Sequence, residues 1–319
     1  MRAAIVSVLI SIFTAAPSAS ALAACSAELG AIEAAARSAP WQDTEALVQK
    51  LEHSITCEPW EQDKAKALLS TQLVFEARKI DRTLRMPAAA SLVEKAANFA
   101  ADWHALELKG RNLRAANKFE AATVAFQEAI NLIAVWDQKK SQAPADAWKN
   151  DASETERANL AAEADEAKHL AASGPQGVLV AASTDRAGNP GGVFSAAVHR
   201  GAVGIRVPAP ILFEFNSAHL TKIGADAARE IAEFLKKQDP ASITVTGHTD
   251  RTGTDTYNMD LSKRRATTVA GFLKENGITA RITTAGKGFS EPRQLSDGTS
   301  YSQAQIDELN RRVEFDWAR

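Results

Sequence analysis

The stretch SITVTGHTDRTGT, residues 242–254, runs from a β-branched segment into a loop that holds a His and an Asp. Ile243, Thr244, Val245 and Thr246 read as a strand, and Gly247 ends it. Asp250 therefore falls in the loop beyond the strand's carboxyl end. Residues 258–276 read as a helix closed by Gly277, with Leu261, Val269, Phe272 and Leu273 on one stripe. Arg265 lies on that stripe, four residues after Leu261 and four before Val269. A guanidinium on a core-facing stripe is costly unless something accepts its hydrogen bonds. The short strand-to-helix connection makes Asp250 a neighbour for it. Two readings follow. Held open at a pocket rim, the pair would grip a ligand carrying both an ammonium and a carboxylate, the planar Arg fork suiting the latter. Alternatively the two close an internal salt bridge without a ligand, and periodicity alone favours that plainer reading.

The elements that must position this pair form a regular series. Residues 211–215, 243–246, 281–285 and 312–317 read as strands, and 221–237 and 258–276 as helices. Helices alternating with strands imply an α/β sandwich with its helices on one face of a small sheet. Upstream, 178–180 and 193–198 read as strands flanking the turn-rich run from Asp185 to Gly192, and 203–207 as a further short strand. The break Ser173-Gly174-Pro175-Gln176-Gly177 marks a domain boundary.

Before that boundary the composition is helical: rich in Ala, poor in β-branched runs and nearly free of Gly from residue 26 to about 172. Leu106, Gly110 and Leu113, a break near Asn117-Lys118, then Phe119, Ala122, Phe126, Ala129 and Leu132 give a helix hairpin whose small residues permit close packing. Its offsets are tetratricopeptide-like, but only one copy is evident, and such arrays need about three. The alternative is an ordinary hairpin in an all-α domain. Ser153-x-x-Glu156 is a capping box opening a further helix. Its charges (Glu163, Asp165, Glu166, Lys168) read as a mostly solvated spacer.

The chain has 319 residues, 45% apolar, with a net charge of −2, enough for two cores and too little charge to mark nucleic-acid binding. Residues 1–24 read as an export signal: Arg2, an apolar run from Ala3 to Ala16, then small residues. No later segment has the roughly 20 apolar residues of a helical span. Two cysteines remain, Cys25 and Cys57. Short helices over 27–38 and 44–56 form a hairpin that places both at its open end, where an exported protein permits a disulfide. Leu22-Ala23-Ala24-Cys25 also fits a lipobox, which would make Cys25 a lipidated N-terminus. The disulfide is preferred because Pro17–Ser20 separates the motif from the apolar run.

Other chemistries find little support. His248 and Asp250 lack a third ligand nearby in sequence, so no metal site is expected, and nothing calls for a cofactor. Gly286-x-Gly288 lacks the Lys and following helix of a phosphate loop and reads as a turn. No nucleophile elbow or Cys–His pair is present, so a wall hydrolase using His248 and Asp250 is the weaker alternative to a non-catalytic binding module.

The segments ILFEFNSAHL, VTGHTDRTGT, YNMDLSKRRATTVAGFL, AGKGFSEP and NRRVEF occur in this order between residues 211 and 317. In them the chain resembles the OmpA-like peptidoglycan-binding domain family. The resemblance implies a non-catalytic domain that binds the diaminopimelate of the peptidoglycan stem peptide. It places the key Asp and Arg, fifteen residues apart, at Asp250 and Arg265, and lines the site with Phe215, Asn216, Thr249, Asn258, Leu261 and Arg312. Many members carry Asp where this chain has Asn216. Of the two adjacent arginines, Arg312 is expected to reach the site and Arg311 to be solvated.

The fold expected is α+β. Residues 1–24 are a signal peptide, 25–173 an all-α domain, 174–207 a linker with short strands, and 208–319 a βαβαββ sandwich. The expected location is the periplasm, on peptidoglycan, with an outer-membrane tether through a lipidated Cys25 as the alternative. The helical domain would then serve an envelope protein partner, or be an adaptor for which the wall is only a tether.

Overall fold

The computed structural model describes residues 19–54, 57–175, 177, 178, 180, 207–296 and 301–318. The strand expected over 193–198 lies outside them, as do residues 203–206 of the one expected over 203–207 and most of the expected leader; Val178 and Val180, expected in a strand, are in none.

The first domain is helical: α1 (Ala19–Ser38), α2 (Trp41–Glu52), α3 (Pro59–Ile80), α4 (Pro87–Ala97), α5 (Trp103–Ala115), α6 (Phe119–Lys139) and α7 (Glu154–Ser173). Local signals set the boundaries. Pro59 and Pro87 sit in first turns, where a missing N–H costs nothing. Asn117, with φ of 57°, turns the chain between α5 and α6. Ser153 and Glu156 form the expected capping box on α7. Consecutive helices pack as hairpins, α1 on α2, α3 on α4 and α5 on α6, and α3 also touches α1 and α5. The sequence offered one helix hairpin; three stack, so each covers the apolar face its neighbour exposes. Trp103, Phe126, Leu69, Leu73, Leu106 and Leu160 are buried in the common core. Gly110 lets α6 close in: a methyl there would stand 2.6 Å from the Phe126 ring.

A disulfide joins Cys25 to Cys57 with their Cα atoms 5.2 Å apart, tying α1 to the segment entering α3. The same sulfur cannot also carry a thioether lipid, so the lipobox reading of Cys25 gives way. Among the described residues no helix is long and apolar enough to cross a membrane.

The second domain is a four-stranded mixed sheet with helices packed on it. Its elements are β1 (Val207–Ala209), α8 (Lys222–Gln238), β2 (Ser242–Gly247), α9 (Asp255–Glu275), β3 (Arg281–Gly286), α10 (Gln303–Asn310) and β4 (Val313–Ala318). The strand order is β1-β4-β2-β3; β2 and β3 run parallel, and β4 runs antiparallel to both β1 and β2. Ile231, Leu235, Val245, Val269, Leu273 and Phe315 fill the core.

Two details depart from the expected βαβαββ series. Residues 211–215 do not form a strand. They contribute one bridge, Phe213 to Leu220, because Glu214 N–H bonds His219 O and the chain turns through Asn216 at φ 55°. The edge place is taken by β1. Helix α10 is additional; it is short, and only Leu309 of it is buried, so no apolar stripe announced it.

The larger correction concerns α7, which is not a solvated spacer. Glu163, Asp165, Glu166, Lys168 and His169 are each at most 3% exposed. Leu160, Ala164 and Ala167 face the helical core, and Leu170 packs with Tyr301 and Leu309 of the second domain. Each charge meets its own partner: Glu163 Arg111 at 2.8 Å, Asp165 Arg293 at 2.6 Å, and Lys168 Glu230 at 2.8 Å. Glu166 accepts from Ser296 N–H at 2.9 Å and Tyr301 Oη at 2.8 Å. Composition could not distinguish charges facing water from charges facing opposite charges.

Gly247 and Gly286 are paired across β2 and β3, and α9 lies against both. A Cβ at Gly247 would fall 2.1 Å from the Ser262 carbonyl, and one at Gly286 would fall 2.6 Å from Lys263 N. Gly247→Ala should therefore destabilise the chain by about 3 kcal/mol in urea unfolding. Gly271→Ala, on the same helix with nothing within 4 Å of the new methyl, should stabilise it by roughly 0.5–1 kcal/mol. Equal effects of the two would show that α9 does not rest on the glycines.

Candidate functional site

Beyond β2 the chain passes His248 and Thr249 to Asp250. His248 N–H donates to Arg312 O and Thr249 N–H to Gly288 O, both at 2.9 Å, so the loop is stitched to β4 and to the turn after β3. Thr254 then caps α9 by accepting from Tyr257 N–H. Ser262, on the turn of α9 above the paired glycines, accepts from Gly288 N–H at 2.9 Å. Arg265 follows three residues later, so this close seat places its guanidinium beside the loop.

A cavity of about 430 Å³ opens there. Phe215, Asn216, Thr249, Asp250, Asn258, Leu261 and Arg265 all line it. Seven of the eight residues singled out from sequence thus share one hollow, and Arg312 is the exception. Ser173, Glu308 and Arg311 join them unexpectedly.

Asp250 and Arg265 do not pair as a closed salt bridge. Asp250 Oδ2 accepts from Arg311 Nη1 at 2.5 Å and its Oδ1 accepts from Thr252 N–H at 2.7 Å. Burial pushes the Asp250 carboxyl up, but the bonds from Arg311 and Thr252 outweigh it and hold the group below its ordinary range. It is an anion at neutral pH. Arg265 is 6% exposed; its Nε donates to Ser217 O at 2.9 Å, and its guanidinium lies 4.8 Å from the Phe213 ring centre. Among the described residues no carboxylate lies within ion-pair distance of it. Burial, then repulsion from Arg311, lowers its affinity for the proton without discharging it.

The rim is aromatic and polar. Phe215 is 99% exposed, and Tyr257 Oη donates to Asn216 Oδ1. Asn216 keeps the left-handed backbone that Asn and Asp tolerate best among residues with a side chain.

The two adjacent arginines exchange the roles expected of them. Arg312 is 4% exposed and bound to Glu314 at 2.7 Å, its fork spent inside the fold. Arg311 is the cavity residue. A period-of-two signal was available, since positions 312 and 314 of an extended chain share a face. His248 is 1% exposed, with Nε2 3.3 Å from Glu314, and does not line the cavity. Among the described residues the one cluster of metal-type ligands is Cys25, Cys57 and Glu61, and its sulfurs are spent on the disulfide.

The architecture is therefore an all-helical domain joined to a small α/β domain with a charged cavity past the ends of its central strands. Comparison with known proteins makes the second domain more specific. Residues 212–305 match the OmpA family model, and the chain carries an OmpA family domain there. Outer membrane protein A of Escherichia fergusonii is 40% identical over 113 residues, 33% of this chain and 46% of that protein. Outer membrane porin F of Pseudomonas aeruginosa is 35% identical over 111 residues, 34% of this chain and 31% of that protein. The solved cell wall anchor of the T6SS from Pseudomonas aeruginosa is 29% identical, covering 38% of this chain and 86% of that chain at a TM-score of 0.30. The chain thus spans less than half the length of these curated relatives.

Glu314 gives the site's foundation a pH signature. Burial raises its pKa, but the His248 and Arg312 contacts prevail and bring it from 4.5 down to about 2. A carboxyl with a depressed folded pKa stabilises fully above its unfolded pKa and loses that contribution as the pH falls through the folded one. Glu314→Gln should cost about 3 kcal/mol at pH 7, and the gap to the parent in urea midpoints should narrow from pH 4.5 toward 2. A gap independent of pH would refute the assignment.

Proposed function

We propose that the second domain binds peptidoglycan without catalysis, through the diaminopimelate of the stem peptide, and so tethers an exported envelope protein to the wall. The carrying observation is one cavity that presents the anionic Asp250 and an Arg265 fork uncommitted to any described carboxylate. A free amino-acid centre has the complementary pair, an ammonium for Asp250 and a carboxylate for the fork. Phe215 at the rim and Thr249, Asn258 and Leu261 on the walls would bound the ligand's stem. Asn216 removes a negative charge that an Asp would bring, which favours stems whose nearby groups are less cationic. The outer-membrane relatives support an envelope location, and the disulfide fits an oxidising compartment such as the periplasm.

Hydrolysis fits less well. The imidazole it would use belongs to His248, which is buried against Glu314 and off the cavity. An adaptor role for the helical domain has its own support in a groove of about 810 Å³ between α5, α6 and the end of α7, lined by Leu113, Phe119, Val124 and Leu170. In that reading the envelope protein partner occupies the helices and the wall is a tether.

Full-length protein should co-sediment with purified sacculi and release no soluble muropeptides. Asp250→Asn and Arg265→Gln should each weaken retention by at least a hundredfold, in line with about 3 kcal/mol or more for an unmatched buried charge, while circular dichroism matches the parent. Folded variants that sediment like the parent would remove the site.

A further inference from the structure

Arg311 divides its guanidinium. Nη1 donates to Asp250 Oδ2 at 2.5 Å, and Nη2 donates to Glu308 Oε2. The other oxygen of Glu308, Oε1, stands 3.6 Å from Nε2 of His169. His169 belongs to α7, in the helical domain, and is 1% exposed. The same helix ends at Ser173, which lines the cavity beside Glu308 and Arg311. A line of charged and polar groups therefore crosses from the first domain to the carboxylate that would receive a ligand ammonium. Its seat is fixed on both sides. Leu309 packs with Leu170 and Tyr301, and Tyr301 donates to Glu166 of α7 at 2.8 Å.

We propose that the wall-binding site is shared between the two domains. In it, His169 and Glu308 act as positioning residues that hold Arg311 and thereby set how open Asp250 is to a ligand cation. This rests on the reading of Asp250 as ammonium acceptor. The physical reason is competition. Arg311 and the ligand ammonium seek the same carboxylate, and Glu308 draws part of the guanidinium away from it. With the Glu308 charge removed, Arg311 turns both arms to Asp250 and confronts the ammonium with an uncompensated positive charge. With His169 removed, Glu308 has Arg311 as its remaining partner, offers it both oxygens and draws it off Asp250.

The two changes thus act in opposite directions, which mere structural damage would not do. The test is calorimetric titration of the full-length chain with a soluble diaminopimelate-containing stem tripeptide. Glu308→Gln should weaken binding by roughly fivefold or more, and His169→Leu should tighten it by a similar factor. In an Arg311→Gln background neither change should have any further effect. Near-UV circular dichroism should match the parent throughout. Loss of binding in Asp250→Asn with parent-like affinity in Glu308→Gln and His169→Leu would overturn this proposal alone, as would weakening in both. Parent-like affinity in Asp250→Asn would overturn the wall-binding reading beneath it.

Discussion

The contact on which this domain depends is the seating of α9 on two paired glycines. Gly247 and Gly286 face each other across β2 and β3, and the backbone of Ser262 and Lys263 occupies the space where their side chains would be. No other residue permits that approach, because even a methyl would lie 2.1 Å from a carbonyl oxygen. The consequence is positional. Asp250 is three residues beyond one glycine, and Arg265 is three residues beyond the serine that sits on it. The distance between loop and helix is thus set by backbone contact rather than by flexible side chains. A carboxylate and a guanidinium can then face one cavity without collapsing on each other, because each has a separate tether: Arg311 and Thr252 for the first, Ser217 O and the Phe213 ring for the second.

The join between domains follows another logic. Burying Glu163, Asp165, Glu166, Lys168 and His169 on one helix gains little net stability, since desolvation offsets most of what ion pairing returns. It does confer register. Arg293 waits for Asp165, Ser296 and Tyr301 for Glu166, and Glu230 for Lys168. A slip of one residue would take Asp165 away from Arg293, Glu166 away from Ser296 and Tyr301, and Lys168 out of reach of Glu230. An apolar helix surface would tolerate such a slip; this one does not. The electrostatics around it reflect the same packing. Burial, then the Glu166 charge, pushes the Tyr301 hydroxyl far up, so it remains a donor, while Asp165 and Glu166 outweigh the burial of Arg293 and keep it charged.

What could be seen in the sequence was whatever rests on local pattern. The strand at 243–246, the helix stripe with Arg265 in it and the capping box at Ser153 all have short-range signals, and all are present. The pair at the cavity was legible because a charge on an apolar stripe is an anomaly in one dimension. What escaped depends on partners distant in sequence. Alternation separates Arg312, which shares a face with Glu314, from Arg311, but which of the two faces meets the cavity depends on where β4 sits in the sheet. The acids of α7 look like any solvated helix until Arg293 arrives, 128 residues later in the chain, to meet Asp165. Stacking of three hairpins was hidden for a similar reason, since each hairpin's apolar face meets helices distant in sequence.

The end of α7 borders two hollows. Ser173 lines the charged cavity, while Leu170, Ala171, Gly174 and Pro175 line the helical groove. One rigid element therefore forms a wall of both. Binding free energies are state functions, so coupling between such sites is reciprocal. An occupant of the groove that favours one position of α7 changes the wall affinity by some factor, and wall ligand changes the occupant's affinity by that same factor. An occupant indifferent to α7's position changes nothing, however tightly it binds. The charged register of α7 limits which positions are available: His169 and Glu308 stand 3.6 Å apart, whereas Asp165 and Arg293 are held at 2.6 Å, so the looser contact is the one with room to change. Communication between the helical domain and the wall site, where it exists, should accordingly run through the last turn of α7 and leave its middle fixed.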